Sequence, residues 1–270
     1  MNEKSVVVTG AAKGIGQATV IRLAAGGFIV FAGVRRAEDG EALQREHPAI
    51  RPILLDVTDP QQIAAAVTSV SDQVGASGLY GLVNNAGIAF TVPLEFVPIE
   101  DFRNLIEVNL VAQLAVTQAF LPALRQARGR IALPFFGVYD ASKFALEGMS
   151  DSLRQELAPW GIEVVVIEPG AIATPMWESG DQAFERMRQK MNPHLNPLYS
   201  QQIERGRQWG ERTARSSPPP DKVAQAIERA LTAARPRTRY TVGTDAFFGA
   251  HVTAKLPDRL RDRILRRLLR

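Results

Sequence analysis

The 270-residue sequence contains no cysteine. That excludes thiolate zinc sites, iron–sulfur clusters, disulfides and a cysteine nucleophile. Histidine is nearly as scarce. His47, His194 and His251 stand far apart without an HExxH pair, so no metal site is expected. No uninterrupted apolar run approaches the ~18 residues of a membrane span. Met1-Asn2-Glu3-Lys4 leads straight into Val6-Val7-Val8 without the pattern of a signal peptide, and a cytoplasmic protein is the expectation. Excess charge is also small overall, net +4, and it is unevenly placed. Residues 255–270 carry Lys255 and six arginines against Asp258 and Asp262, which is net +5 and leaves about −1 for the rest. A basic tail on a near-neutral body argues against a nucleic-acid-binding domain.

Apolar residues make up 46% of the chain and charged residues 22%, enough to build a sizeable core. Short apolar runs alternate with helical patterns. Strands are expected at Ser5–Thr9, Phe28–Gly33, Pro52–Leu55, Tyr80–Asn84, Glu163–Glu168 and Arg239–Gly243. Helices are expected at Gly16–Ala25, at Ile63–Val74 behind the cap Asp59-Pro60, across Ile99–Arg128, and at Asp140–Ala158. Strands apolar on both faces between helices predict a doubly wound, Rossmann-type α/β sheet with all strands parallel. One domain is expected over residues 1–254, with a substrate-covering insert at 175–220, followed by a basic amphipathic tail at 255–270. Such sheets bind ligands at the carboxyl ends of their strands.

One stretch does not match this pattern. A central strand is expected before Tyr139, but the chain offers only Gly129-Arg130-Ile131-Ala132-Leu133-Pro134. Three apolar residues are few for a strand, and proline is unwelcome in a central one. The expectation is that a segment of about ten residues, carrying that strand, is missing between Arg130 and Ile131. The alternative is that the protein lacks the strand altogether.

Thr9-Gly10-Ala11-Ala12-Lys13-Gly14-Ile15-Gly16 falls between the first strand and the first helix. Gly10 permits a tight turn, Gly14 lets the backbone approach a pyrophosphate, and Gly16 lets helix and strand pack closely. The helix N-terminus adds amide donors for the anion. The second strand ends Gly33-Val34-Arg35-Arg36 with no carboxylate at its tip. Arg35 and Lys13 can therefore bind a phosphate on the adenosine ribose, and NADP(H) is expected over NAD(H), which stays possible. Further on, Tyr139 and Lys143 are spaced i, i+4 on one helix face. A nearby ammonium stabilises phenolate, and a phenol so tuned exchanges a proton with a carbonyl or alcohol oxygen.

In chain order these are Thr9-Gly10-x-x-x-Gly14-x-Gly16, Asn84-Asn85-Ala86-Gly87, Asn109, Tyr139-x-x-x-Lys143 and Pro169-Gly170. With them the chain resembles the short-chain dehydrogenase/reductase family from Ser5 to about Thr174, with a weaker likeness near Pro236–Tyr240. The resemblance implies that Tyr139 is the general acid/base, that Lys143 binds the nicotinamide ribose and lowers the Tyr139 pKa, and that Asn109 holds a relay water. It further implies Asp56 on the adenine amino group with Val57 against the ring. Asn84, Ala86 and Gly87 would line the cofactor together with Ile15 and the loop glycines. Pro169 and Gly170 would lead to Ile172 and Thr174 at the carboxamide.

The family also uses a serine about a dozen residues before the tyrosine. No serine occurs here between Asn109 and Tyr139, and the one hydroxyl in that interval, Thr117, falls deep in a helix. If the serine is truly absent, an inactive dinucleotide-binding regulator becomes the alternative to an enzyme. The residues after Thr174-Pro175 are large and soft (Met176, Trp177, Phe184, Met187, Met191, Leu195, Leu198, Tyr199, Ile203, Trp209), which suits a lipophilic substrate. The Gly81–Gly87 context is similar to steroid- and retinol-type dehydrogenases within the family, implying a hydrophobic alcohol or ketone and a homodimer or homotetramer. In the tail, Leu256, Leu260, Ile264 and Leu268 repeat every four residues among arginines. That helix is expected to dock on the domain or another subunit, with peripheral membrane contact as the alternative.

Overall fold

The computed structural model describes residues 4–89, 97–134, 140–177 and 211–251, with a few isolated positions besides. Seven parallel strands form one sheet: β1 Ser5–Val8, β2 Ile29–Val34, β3 Ile50–Leu54, β4 Gly81–Val83, β5 Arg130–Pro134, β6 Glu163–Pro169 and β7 Arg239–Val242. Their order across the sheet is β3-β2-β1-β4-β5-β6-β7. The chain thus starts in the middle, winds to one edge, and returns past β1 to wind to the other. The reversal between β1 and β4 opens a crevice at the carboxyl ends of these strands.

Helices cover both faces: α1 Gly14–Ala25, α2 Ala37–Glu46, α3 Pro60–Val74, α4 Ile99–Ile106, α5 Ala112–Ala127, α6 Asp140–Leu157, α7 Asp221–Thr232 and α8 Thr244–His251. The central strands bury both faces, as β1 shows with Val6, Val7 and Val8 all at 0% exposure. Val6 and Val8 join a core layer with Leu23 of α1 and Ile227 of α7. Val7 points the other way, to Val70 of α3 and Val116 and Phe120 of α5. Alternate residues of one strand thus feed two layers, as the pleat requires. The Asp59-Pro60 signal starts α3 as expected. The Asp59 carboxylate accepts from the backbone N–H of Gln61 (2.9 Å) and Gln62 (3.2 Å).

The expected gap before Tyr139 is corrected here. Arg130–Pro134 itself forms the central strand β5, paired with β4 on one side and β6 on the other. Three residues are enough against β4 because β4 is itself three residues long, pairing Gly81, Leu82 and Val83 with Arg130, Ile131 and Ala132. Leu133 and Pro134 pair only with β6, so the proline stands beyond the end of the β4 ladder. Arg130 anchors the strand entry, donating to the carbonyls of Ala230 (2.9 Å) and Leu231 (2.6 Å) in α7.

The long helical stretch expected over Ile99–Arg128 is α4 and α5 joined by a π-helical turn, Glu107–Val111. It also corrects the membrane reading of the sequence. Ile99–Ala127 is long and apolar enough to cross a membrane, with a mean hydropathy of 1.3 over its best window. Its charged residues, Glu100, Asp101, Arg103, Glu107 and Arg125, lie toward the ends, and Asn, Gln and Thr break the uncharged middle, which hides the stretch from a search for unbroken runs. In the fold its face of Ala112, Val116, Phe120, Ala123 and Leu124 is buried in the core.

Candidate active site

The crevice is a cavity of about 940 Å³ at the carboxyl ends of β1, β2, β3, β4 and β6. Its floor is the glycine-rich loop. Gly10 and Gly14 have φ of +63° and +60°, a left-handed conformation that glycine adopts without cost. A side chain on Gly10 would meet the Ala86 Cα at 2.9 Å. Gly16 sits beneath the loop, where a Cβ would press on the Gly10 carbonyl oxygen. The strand-β4 exit clips this loop in place. Asn85 Nδ2 donates to the carbonyls of Thr9 (2.9 Å) and Gly10 (3.1 Å), and the Ala86 N–H donates to Thr9 Oγ1 (2.9 Å). Helix α1 has no side-chain cap and no acidic residue in its first turn, which leaves its N-terminal amides facing the crevice.

At the adenosine end, Lys13 and Arg35 line the wall. Both are exposed and make no ion pair among the described residues. Two residues that sequence reasoning missed stand beside them, Arg36 and Asp39. Asp39 is hidden in the sequence because it belongs to the first turn of α2 rather than to the strand tip. Its carboxylate accepts from Arg36 Nε at 2.9 Å and Nη2 at 2.8 Å. These bonds hold the Asp39 carboxyl below its ordinary value against the opposing effect of burial. Asp56 and Val57 close the wall. Burial acts to raise the Asp56 carboxyl. The Thr58 hydroxyl and N–H, donating to Oδ1 at 2.7 and 2.9 Å, and the charge of Arg35 outweigh it and lower the pKa.

At the other end stand Ala86, Gly87, Asn109, Pro169 and Thr174, with Asn104 and Val108 besides. The last two are spaced i, i+4, a signal that could have placed them on one helix face toward the site. Asn109 falls in the π-helical turn and is 1% exposed. Its Oδ1 accepts from the Ile88 N–H at 2.9 Å, and its Nδ2 donates to the Ile88 carbonyl at 3.0 Å. Such turns concentrate at functional sites because they re-aim a helix locally. A Cβ on Gly14 would meet the Thr174 side chain at 3.4 Å, and the Thr174 Oγ1 is buried without a hydrogen-bond partner.

The structure therefore brings Gly10, Lys13, Gly14, Ile15, Arg35, Asp56, Val57, Ala86, Gly87, Asn109, Pro169 and Thr174 to one crevice. Four others stand outside its wall. Gly16 lies under the loop. Asn84 is buried in the sheet centre, donating to Thr117 Oγ1 at 2.7 Å. Ile172 is buried in the core. Gly170 faces Asp245, whose carboxylate occupies the space a Cβ would need and accepts from the Ala171 N–H at 2.7 Å. Lys143 lies in the first turn of α6, three residues after its start at Asp140. Tyr139, the Lys143 side chain, most of the insert and most of the tail lie outside the described residues.

These residues fit a dinucleotide. The cavity has the volume of a cofactor pocket. An uncapped helix N-terminus and two cations without an ion pair among the described residues suit phosphates, and the unpartnered Thr174 hydroxyl suits a polar group at the far end.

Comparison with known proteins agrees with this geometry. The short chain dehydrogenase family model matches residues 4–184. Retinol dehydrogenase 5 from Mus musculus is 35% identical over 96% of this chain and 87% of its own length. The 17-beta-hydroxysteroid dehydrogenase type 6 from Homo sapiens is 36% identical over 99% of this chain and 89% of its own. A crystal structure of a short chain dehydrogenase from Burkholderia cenocepacia J2315 in complex with NADP superposes with a TM-score of 0.73. It is 26% identical and covers 98% of each chain. The crevice, its glycine-rich floor and these likenesses lead to one assignment: the chain belongs to the short chain dehydrogenase family of oxidoreductases.

Proposed function

We propose that this chain is an NADP(H)-dependent oxidoreductase that interconverts a lipophilic secondary alcohol and its ketone, of steroid-, retinoid- or similar shape. The observation that carries the reading is the crevice with Lys13 and Arg35, unpaired among the described residues, at one end and Asn109 and Thr174 at the other. The similarity to retinol and 17-beta-hydroxysteroid dehydrogenases supports the substrate class. The NADP complex of the Burkholderia relative supports the cofactor.

When bound, the cofactor supplies the hydride donor or acceptor. The chain's own residues do the rest. Lys13 and Arg35 hold the ribose phosphate through charge-assisted hydrogen bonds. Asp56 and Val57 hold the adenine, and Thr174 orients the carboxamide. Tyr139 gives a proton to the ketone oxygen, or takes one from the alcohol. Lys143 favours the phenolate form of Tyr139. The Asn109 amide is committed to Ile88, so its backbone carbonyl is the group that holds a relay water. Pro169 and Gly170 fix the turn that presents Thr174. The protein works in the cytoplasm as a homodimer or homotetramer through the helical segments that contain Asn109 and Lys143.

The test is turnover of a panel of lipophilic ketones with NADPH and with NADH, repeated with Tyr139→Phe. Turnover by the natural chain, lost in Tyr139→Phe with cofactor binding retained, is the expected result. Cofactor binding without turnover of any ketone would instead make the chain a dinucleotide-binding regulator, in keeping with the missing serine.

A further inference from the structure

The adenosine end of the crevice holds three cations, Lys13, Arg35 and Arg36, and two carboxylates, Asp39 and Asp56. Their pairing is unequal. Arg36 is the residue before α2 and Asp39 lies in that helix's first turn, so the two meet at i, i+3. The guanidinium forks onto both carboxylate oxygens, at 2.9 and 2.8 Å. The Asp39 side chain is 23% exposed and set into the wall, while Arg36 is 73% exposed and reaches in from outside. Asp56 is engaged by Thr58. Arg35 and Lys13 act on Asp39 through their charge, yet they bond to neither carboxylate.

We propose that the Arg36–Asp39 ion pair sets the choice of cofactor: held by Arg36, Asp39 leaves Lys13 and Arg35 for a phosphate monoester on the adenosine ribose, and released it accepts the ribose hydroxyls and draws Arg35 to itself. This rests on the NADP(H) reading above and names the specificity element within it. The chemistry follows from the charges. A bare carboxylate in the wall repels a phosphate and accepts hydrogen bonds from a free diol. The same carboxylate, neutralised by a bidentate guanidinium, does neither effectively. Arg36 thus favours phosphate indirectly, by occupying the anion that would oppose it.

The experiment measures binding and needs no turnover. The full chain is titrated calorimetrically with adenosine 2′,5′-bisphosphate and with adenosine 5′-monophosphate. The variants Arg36→Ala, Asp39→Asn and Arg36→Ala/Asp39→Asn are titrated alongside, with thermal melts to show that each is folded. The natural chain is expected to prefer the bisphosphate. Arg36→Ala is expected to narrow that preference by about tenfold, because the carboxylate it leaves bare repels the phosphate. Asp39→Asn is expected to keep or widen it, and the double variant to regain it. A double variant as poor as Arg36→Ala would make Arg36 a direct phosphate ligand and overturn the proposal. A natural preference that none of the variants moves also overturns it, leaving the NADP(H) reading intact. No preference in the natural chain removes that reading and this inference together.

Discussion

Gly16→Ala and Gly148→Ala are the same chemical change, and the structure gives them opposite signs. Both glycines are helical, so alanine gains up to about 1 kcal/mol of helix propensity and unfolded-state entropy at either position. Nothing lies within 4 Å of a Cβ on Gly148, in the middle of α6, so that gain stands alone. At Gly16 the Cβ lands on the Gly10 carbonyl oxygen and 2.6 Å from Asn85 Nδ2. The Gly10 peptide has little room to yield. The Thr9 N–H is bound to the Val83 carbonyl at 3.0 Å, and the Ala11 N–H to the Gly33 carbonyl at 2.9 Å. Overpacking against fixed atoms costs about 1–3 kcal/mol, and displacing Asn85 from its two carbonyls costs about 1 kcal/mol more. The net expectation for Gly16→Ala is a loss of about 2 kcal/mol, a fall of about 4–8 °C in melting temperature for a domain of this size. Gly148→Ala should rise by a smaller amount. Urea and thermal melts of the two variants beside the natural chain measure both. A Gly16→Ala protein at least as stable as the natural chain would refute the packing argument.

Three further outcomes are expected. Asn109→Ala strips both Ile88 backbone groups of their partner, and urea melts should show a loss of about 2 kcal/mol; an unchanged midpoint would mean that water replaces the amide. Phe120→Ala empties a fully buried ring site between α5 and the sheet and should cost about 3–5 kcal/mol by the same measurement. The Asp151 carboxyl is held below its ordinary 3.8, first by its bond from Arg154 and then by Arg239, with burial opposing. Its stabilising contribution is therefore complete above pH 3.8 and disappears as the pH falls through that value to the lower folded one. Asp151→Asn should flatten the acid limb of stability against pH. An identical limb in variant and natural chain would count against the ion pairs.

The strands were legible wherever both faces are buried, because continuous valine, isoleucine and leucine leave few other assignments. Val6-Val7-Val8 and Val164-Val165-Val166 lie in β1 and β6, where they were expected. β5 was misjudged because strand length was weighed against an average strand rather than against β4, its short neighbour. Helix α2 escaped because Ala37–Glu46 buries only Gly40 and Leu43, too few positions to give a helical period. At the site, the glycine-rich loop with Lys13 and Arg35 was readable from the residues themselves, whereas Asp56, Val57, Ala86, Gly87, Asn109, Pro169 and Thr174 came only through the family resemblance. Asp39 was in neither set, since it comes from a helix that meets the crevice only after folding, and the i, i+4 signal of Asn104 and Val108 went unread. The expected Pro169–Thr174 turn also divides, its two ends lining the crevice and Gly170 standing outside it. Thr174 faces the crevice, whereas Gly170 answers to Asp245, which is remote in sequence.

That last pairing bears on how this fold can be rebuilt. Gly170 and Gly243 close the adjacent strands β6 and β7, and both leave their side-chain space to the carboxylate of Asp245. The three residues make one joint, although a sequence alignment would treat them as separate columns. A graft that imported the Pro169–Thr174 loop from a relative with a larger residue at 170 would have to bring its own residue 245. Conversely, the loop could be exchanged between relatives without disturbing the crevice only where the far end of β7 already carries the matching acid.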